Sequence, residues 1–420
     1  MFGLAAMEIR SPELLDGSRN RLQSQHRYIR IGSHRNKSWY VSLRHNPLLL
    51  AWLLIRSAKA FGLWGLGVQN ALNSCKLLCR GFAVLACQYL FRLLSNEILE
   101  LPVSGHLSLK VHNGYKVFDL HRRVVTKIFS PKVTLDQISD EIDWARRVGT
   151  HSFAPTVRRW NVEDRWYEED YVNGCVLPLT TRSVFLLTFH EAMPPQLAPI
   201  ILAFSPREVK ALEYAQGRHK LLLGIQSQLA EKRLDATKIQ RVWNFSRVMI
   251  ERVQRAGNCL IFLAFSHGDF SRQHTFITEH GPVHIDWEMG GYRTALYDLH
   301  DAFFKRLQSE LVPPDVTLVL AQAISRLQLC LSQQASVSNV ALISSLQEAE
   351  VYRWIYYVER ICFFLGGSND MSDQKLNKML LSIDAFNSYE ARLLERRDQT
   401  FSTESAREQL ILDVTRGSNQ

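Results

Sequence analysis

Ser266-His-Gly-Asp-Phe-Ser-Arg-Gln-His274, followed by Val283-His-Ile-Asp-Trp-Glu288, is the stretch on which the reading of this chain turns. The first segment follows an apolar run, Cys259–Phe265, and leads into a strand-like stretch, Thr275–Thr278. A turn signal, Glu279-His-Gly-Pro282, then precedes a second strand predicted over Val283–Glu288. Asp269 therefore falls in a loop, and Asp286 at the end of a strand 17 residues later. A short hairpin between them can bring both carboxylates into one cleft. There, one carboxylate can accept a proton from a hydroxyl while the other holds a divalent cation on phosphate oxygens.

Upstream, His106–Val111 (HLSLKV) alternates, His112-Asn-Gly114 supplies a hairpin turn, and Tyr115–Leu120 (YKVFDL) alternates again. Val124–Phe129 completes three successive antiparallel strands. Leu135–Val148 has helical spacing of Leu135, Ile138, Ile142 and Ala145. Two further strand-like runs, Thr156–Trp160 and Arg165–Val172, close on Asn173-Gly174, and helical periodicity dominates from about residue 180. Within that order Lys127 lies mid-strand and Glu141 on the following helix. A strand cation oriented by a helix carboxylate is one way to hold nucleotide phosphates, although such pairs are more often plain surface ion pairs.

The segments His267-Gly-Asp-Phe-x-x-x-His274, Ile285-Asp-Trp-Glu288 and Leu296-Tyr-Asp-Leu299 resemble the aminoglycoside phosphotransferase and choline kinase family. That family's pattern is HGDxxxxN, then IDWE, then a DLA-type helix. The resemblance spans about residues 106–395 and is specific over 266–301. It implies an α+β, bilobal protein-kinase-like fold, with a small antiparallel-sheet lobe and a larger helical lobe. It also implies transfer of the γ-phosphoryl group of ATP to a small-molecule hydroxyl, with Mg²⁺ as the metal. Carried over position by position, Asp269 would be the catalytic base, with His267 and Asp298 supporting its loop, and Asp286 would be a metal ligand. Lys127 would contact the phosphates, Glu141 would orient it, and Tyr171 and Val172, in a hinge ending at Gly174, would border the adenine. One position departs: the family's Asn, its second metal ligand, is His274 here. Mg²⁺ prefers oxygen donors, so this substitution implies a weakened metal site, a softer metal or lost catalysis. His267 and His284 each precede an Asp by two residues, which leaves a metallohydrolase conceivable; the Trp-Glu after Asp286 favours the kinase reading.

The chain has 420 residues, 46% hydrophobic and 22% charged, which excludes a disordered, fibrous or disulfide-scaffold protein. Its +9 formal charge is uneven: residues 1–92 hold 13 Lys or Arg and three carboxylates, and none of residues 17–96 is Asp or Glu. The sequence divides into a basic, flexible segment (1–45), an amphipathic helical extension (46–100), a nucleotide-binding lobe with hinge (101–174), a helical lobe (175–397) and a polar, mobile tail (398–420). The aliphatic faces of 46–94, bordered only by cations, suit an anionic membrane surface as well as they suit packing on the body. Nucleic-acid binding is not expected of such faces. The longest apolar run, Pro47–Ile55, is too short to span a bilayer, and no secretory leader is read at the N-terminus. A cytoplasmic protein peripheral to the inner face of the membrane is the expectation, with a sugar, glycolipid or amino alcohol as acceptor. The basic, aliphatic extension is also similar, diffusely, to phosphotransferases of bacterial surface-polysaccharide or lipopolysaccharide synthesis. The alternative is a catalytically weak kinase-like scaffold module. The seven cysteines are odd in number and lack CxxC spacing, so free thiols are expected. The aromatic helix over Val351–Phe364 is read as core before pocket.

Overall fold

A computed structural model of the chain describes residues 25–34, 37–42, 98–176, 189–230, 234–270, 274–307, 316–334, 346–366 and 373–417. In chain order the strands and helices are β1 (His26–His34), β2 (Lys37–Ser42), β3 (Ile98–Leu101), β4 (Leu107–Val111), β5 (Gly114–Asp119), β6 (Val124–Phe129), α1 (Leu135–Val148), β7 (Val157–Asn161), β8 (Trp166–Asp170) and β9 (Cys175–Val176). They continue with α2 (Pro194–Ala203), β10 (Arg207–Lys210), α3 (Ala211–Ala230), α4 (Ala236–Arg255), β11 (Leu260–Ser266), β12 (Thr275–Thr278), β13 (Gly281–His284) and β14 (Gly291–Thr294). The remaining helices are α5 (Tyr297–Leu307), α6 (Val316–Gln334), α7 (Leu346–Gly366) and α8 (Asp373–Gly417). The chain divides into two units, Met1–Leu179 with Thr275–Ile285, and Thr180–His274 with Asp286–Gln420. An antiparallel-sheet unit and a mainly helical unit are thus both present, as the α+β expectation requires.

The first unit is built on an eight-stranded sheet in the order β3-β1-β2-β4-β5-β6-β8-β7, antiparallel throughout. The Asn113-Gly114 cue marks the β4–β5 hairpin, in which Val111 pairs with Gly114. Glycine is required there by close approach: at φ 150°, a Cβ would lie 1.9 Å from the Ile128 carbonyl oxygen. The next turn is held by Asp119, whose Oδ1 accepts from the backbone N–H groups of His121 and Arg122 at 3.1 and 3.0 Å. Helix α1 opens with a capping box, in which the Thr134 and Gln137 side chains accept from each other's backbone N–H. Its inward face carries Ile138, Glu141, Ile142, Ala145 and Val148; Ile138, Ile142 and Ala145 cluster with Phe129 and Tyr167 of the sheet.

Three strands precede the first one predicted. β1 and β2 lie within the segment expected to be flexible, 1–45, and β3 takes the end of the segment expected to be helical, 46–100. Burial explains them: Tyr28 and Tyr40 enter one apolar cluster while Ile29 and Val41 enter another. The amphipathic stretches 46–94, and with them most of the proposed membrane-facing run, lie outside the described residues.

In the second unit β11 is the middle strand of a small antiparallel sheet, β10-β11-β14. Tyr352, Tyr356 and Tyr357 of α7 are buried with Phe304 and Phe386, so the aromatic helix is core. Glu390 of α8 is tied to Arg353 (2.7 Å), Arg252 (2.8 Å) and Tyr357 (3.1 Å), which links α4, α7 and α8. Burial pushes its carboxyl up, yet the two guanidinium groups hold it below the ordinary range. Two expectations are corrected here. The predicted strand over Val283–Glu288 ends at His284, because Asp286 is left-handed (φ 70°) and a 3-10 turn, Trp287–Met289, follows. Helix α8 continues to Gly417, through most of the residues expected to form a mobile tail. Among the described residues Cys259, Cys330 and Cys362 are free thiols, and no helix is long and apolar enough to cross a membrane.

Candidate active site

In the first unit Lys127 stands in the middle of β6, flanked in register by Lys116 and Tyr167. Its side chain is 1% exposed, and its Nζ lies 2.6 Å from Glu141 Oε1. Tyr167 donates its hydroxyl to the same oxygen at 3.2 Å. Glu141 points inward because it lies at helical spacing on the buried face of α1, the face that Ile138 and Ile142 dock on the sheet. The expected strand–helix ion pair is thus formed, and it is an interior pair. Tyr171 follows β8 and packs half-buried against the Ile29 cluster, its backbone N–H donating to Arg123 at 3.0 Å. Val172 is next in an irregular run to a bend at Gly174, where a Cβ would come 2.7 Å from the Ile277 carbonyl oxygen.

In the second unit the segment after β11 turns on Gly268, at φ 81°, where a Cβ would meet the Met289 carbonyl oxygen at 2.3 Å. The loop is fastened from behind by Asp298 in the first turn of α5. Its Oδ2 accepts from the His267 N–H at 2.6 Å and its Oδ1 from the Gly268 N–H at 2.9 Å. Burial raises the Asp298 carboxyl to about 6, although both N–H groups oppose the shift. His267 is fully buried, its ring 4.5 Å from that of Trp287, so it props the loop from within.

That fastening leaves the Asp269 side chain 44% exposed at the surface of the loop. His274 turns back onto it, with Nδ1 3.0 Å from the Asp269 carbonyl oxygen and 3.7 Å from Oδ2. A carbonyl can only accept, so this bond assigns the proton to Nδ1 and leaves Nε2 facing Asp286 Oδ2 at 3.6 Å. The structure thus places His274 between Asp269 and Asp286, the two carboxylates whose spacing suggested a shared cleft. Among the described residues no set of three His, Cys, Asp or Glu side chains gathers for a metal.

Two participants were not singled out from the sequence. Lys305 of α5 is ion-paired with Asp269 Oδ1, and its Nζ lies 2.6 Å from Oδ2 of the fully buried Asp301. Arg293 of β14 donates to Ser266 Oγ (2.6 Å) and the Met289 carbonyl (2.8 Å), bracing both sides of the loop. Burial pushes the Asp269 carboxyl up, but the Lys305 ammonium, joined by His274 when its ring is protonated, holds the group below its ordinary value. Lys305 was findable only as a helical partner four residues after Asp301; nothing local links it to a loop 36 residues away.

No protein-family model matches this chain, and no curated protein matches it. Among solved structures, a choline kinase from Streptococcus pneumoniae is similar over 68% of this chain and 92% of its own, at 13% identity and a TM-score of 0.42. A choline kinase from Cryptosporidium parvum is similar over 68% and 87%, at 15% identity and 0.45. An aminoglycoside phosphotransferase from Alicyclobacillus acidocaldarius is similar over 70% and 91%, at 13% identity and 0.38. These are likenesses of outline at low identity; the chemistry of this chain follows from its own side chains.

Proposed function

We propose that this chain is an ATP- and divalent-metal-dependent phosphotransferase that moves the γ-phosphoryl group to a hydroxyl of a small molecule. One observation carries the reading. The loop holding Asp269 is locked through its backbone to a buried carboxylate, while the Asp269 side chain stays open beside His274 and Asp286. A carboxylate presented in this way can orient a hydroxyl and take its proton as the oxygen–phosphorus bond forms and the bond to the departing ADP breaks.

Asp286 and His274 fit a divalent cation, because with the ring neutral two acceptor atoms face each other across 3.6 Å. Two protein donors suffice for a hard cation that takes its other ligands from water and phosphate, and the imidazole favours a softer ion such as Mn²⁺ over Mg²⁺. Such an ion would offset charge on the phosphate oxygens. The chain's own residues do the rest: Lys127, oriented by Glu141, pairs with phosphate, and Tyr171 and Val172 border the adenine. The acid-free run 17–96 supports an acceptor at an anionic membrane surface, such as a sugar or glycolipid, with a free amino alcohol as the other acceptor class.

The test is phosphoryl transfer from ATP to a panel of sugars, lipid-linked sugars and amino alcohols. Asp269→Asn should lower turnover about 1,000-fold while nucleotide still raises Tm; unchanged turnover would sink the assignment. Vesicle co-sedimentation should fall with salt and on replacing Arg56, Lys59, Lys76, Arg80 and Arg92 by Gln, which leaves the core strands β1 and β2 intact. Indifference to both would remove the membrane from the proposal. His274 motivates a second reading, a nucleotide-binding scaffold with weak catalysis. It predicts that His274→Asn gains activity that the natural chain lacks.

A further inference from the structure

Helix α5 brings three charged residues to one face, Asp298, Asp301 and Lys305, spaced by three and four. Asp298 holds the loop backbone, as described above. Asp301, with no exposed surface, is ion-paired with Arg360, whose Nη1 lies 3.1 Å from Oδ1, and with Lys305, whose Nζ lies 2.6 Å from Oδ2. Lys305, 27% exposed, then reaches from this buried anchor to Asp269 Oδ1. A lysine stem alone is a poor positioning device, since its four rotatable bonds make it one of the most entropically costly side chains to fix. Here the cost is met by Asp301, whose own position is fixed by Arg360.

We propose that Lys305 is a positioning residue for Asp269: it fixes the direction of the carboxylate by holding Oδ1, and leaves Oδ2 as the oxygen that receives the hydroxyl. The inference rests on the reading of Asp269 as proton acceptor. A cation on the acceptor makes it a weaker base, which would be a poor arrangement for early proton abstraction. In phosphoryl transfer the transition state is loose, and the carboxylate serves mainly to orient the nucleophile, so a fixed direction is worth more than basicity. The arrangement also separates two tasks: Asp298 sets the backbone of the loop, and Asp301 sets its side chain through Lys305. Among the described residues, Oδ2 meets His274 Nδ1 at 3.7 Å, too far for a hydrogen bond.

The experiment uses the full chain, ATP, Mn²⁺ and water as acceptor, with release of inorganic phosphate as the readout. Lys305→Met should lower kcat about 30-fold with KM for ATP changed less than about threefold. Lys305→Arg should recover at least about a third of the lost rate. Added to Asp269→Asn, Lys305→Met should cost nothing further, because the group it positions is gone. Unchanged kcat in Lys305→Met, or a full multiplicative loss in the double variant, would overturn the proposal and leave Lys305 as a helix ion pair. If Asp269→Asn alone keeps full turnover, the base assignment fails and takes the proposal with it, so the two failures are told apart. A crystal structure of Lys305→Met, or of Lys305→Gln if the first variant is unstable, gives a readout free of activity. The Asp269 carboxylate should leave its present direction, and a carboxylate found unmoved would also overturn the proposal.

Discussion

The molecule contains two lysine–carboxylate pairs of similar chemistry and opposite architecture. Lys127 and Glu141 meet in the interior of the first unit, held from one side by a central strand and from the other by the docked face of a helix. Lys305 and Asp269 meet at the surface of a loop in the second unit, and the lysine retains a buried second partner, Asp301. In the first pair each member depends on the other, since an uncompensated buried charge is expensive. In the second, the exposed carboxylate can be lost while the ammonium stays paired. The buried pair therefore ties strand to helix whatever else it does for a nucleotide, and the open pair can release its carboxylate without leaving the ammonium alone.

The sharpest break of this comparison is a matched pair of truncations. Glu141→Ala should cost about 3–5 kcal/mol of stability, because it removes the carboxylate paired with the buried Lys127. Asp269→Ala should change stability by less than about 1 kcal/mol. Urea denaturation of both variants measures the contrast, and equal losses would erase it.

Next in size is the pH dependence of the Asp298 clamp. Burial raises this carboxyl to about 6 from 3.8, so the folded chain binds the proton more tightly than the unfolded one. Its contribution to stability is fully present below about pH 4 and is lost as pH rises through about 6. The expected size is about 3 kcal/mol, and stability is flat with respect to this group above that range. His300, buried and lowered to about 3, pulls the other way, favouring stability above its unfolded value of 6.5 and losing it on acidification. The difference in Tm between the natural chain and Asp298→Asn across pH 4–7 isolates the Asp298 part, and a difference independent of pH would contradict it.

A smaller effect sharpens the role of the loop. Gly268→Ala should destabilise by about 2 kcal/mol, since the Cβ would press on the Met289 carbonyl at a positive φ. It should lower turnover more than Gly257→Ala, where φ is also positive but nothing lies within 4 Å. The smallest effect probes the helix under the buried pair. Thr134→Ala removes half of the α1 capping box and should cost about 1 kcal/mol, visible as a lower Tm, with turnover unchanged.

Much of this was legible in the sequence, and what was not has identifiable causes. The strands β4 to β8 were readable because turn signals such as Asn113-Gly114 bound them, and helix α1 because it has one buried and one open face. β1 and β2 did not, because Tyr28 with Ile29, and Tyr40 with Val41, are neighbours buried on opposite faces. Strands covered on both sides lose the alternation that marks them, and here they sit in a run of cations that draws attention to charge instead. The carboxylates of the site were readable because one hairpin carries both of them. Lys305, Asp301 and Arg293 were not, since their roles come from a helix and a strand that pack beside the loop only in three dimensions. Asp286 fell in a predicted strand because β-branched neighbours hid a left-handed residue that no local pattern announces.

The Asp298 clamp also makes the loop a natural reporter. Two consecutive amide protons, those of His267 and Gly268, point at the oxygens of one buried carboxylate. Neither can exchange with solvent deuterium until that carboxylate lets go, so their exchange rates time the opening of the loop directly. A nucleotide that tightens the second unit would slow both in step, which gives a spectroscopic clock for occupancy that needs no knowledge of the acceptor.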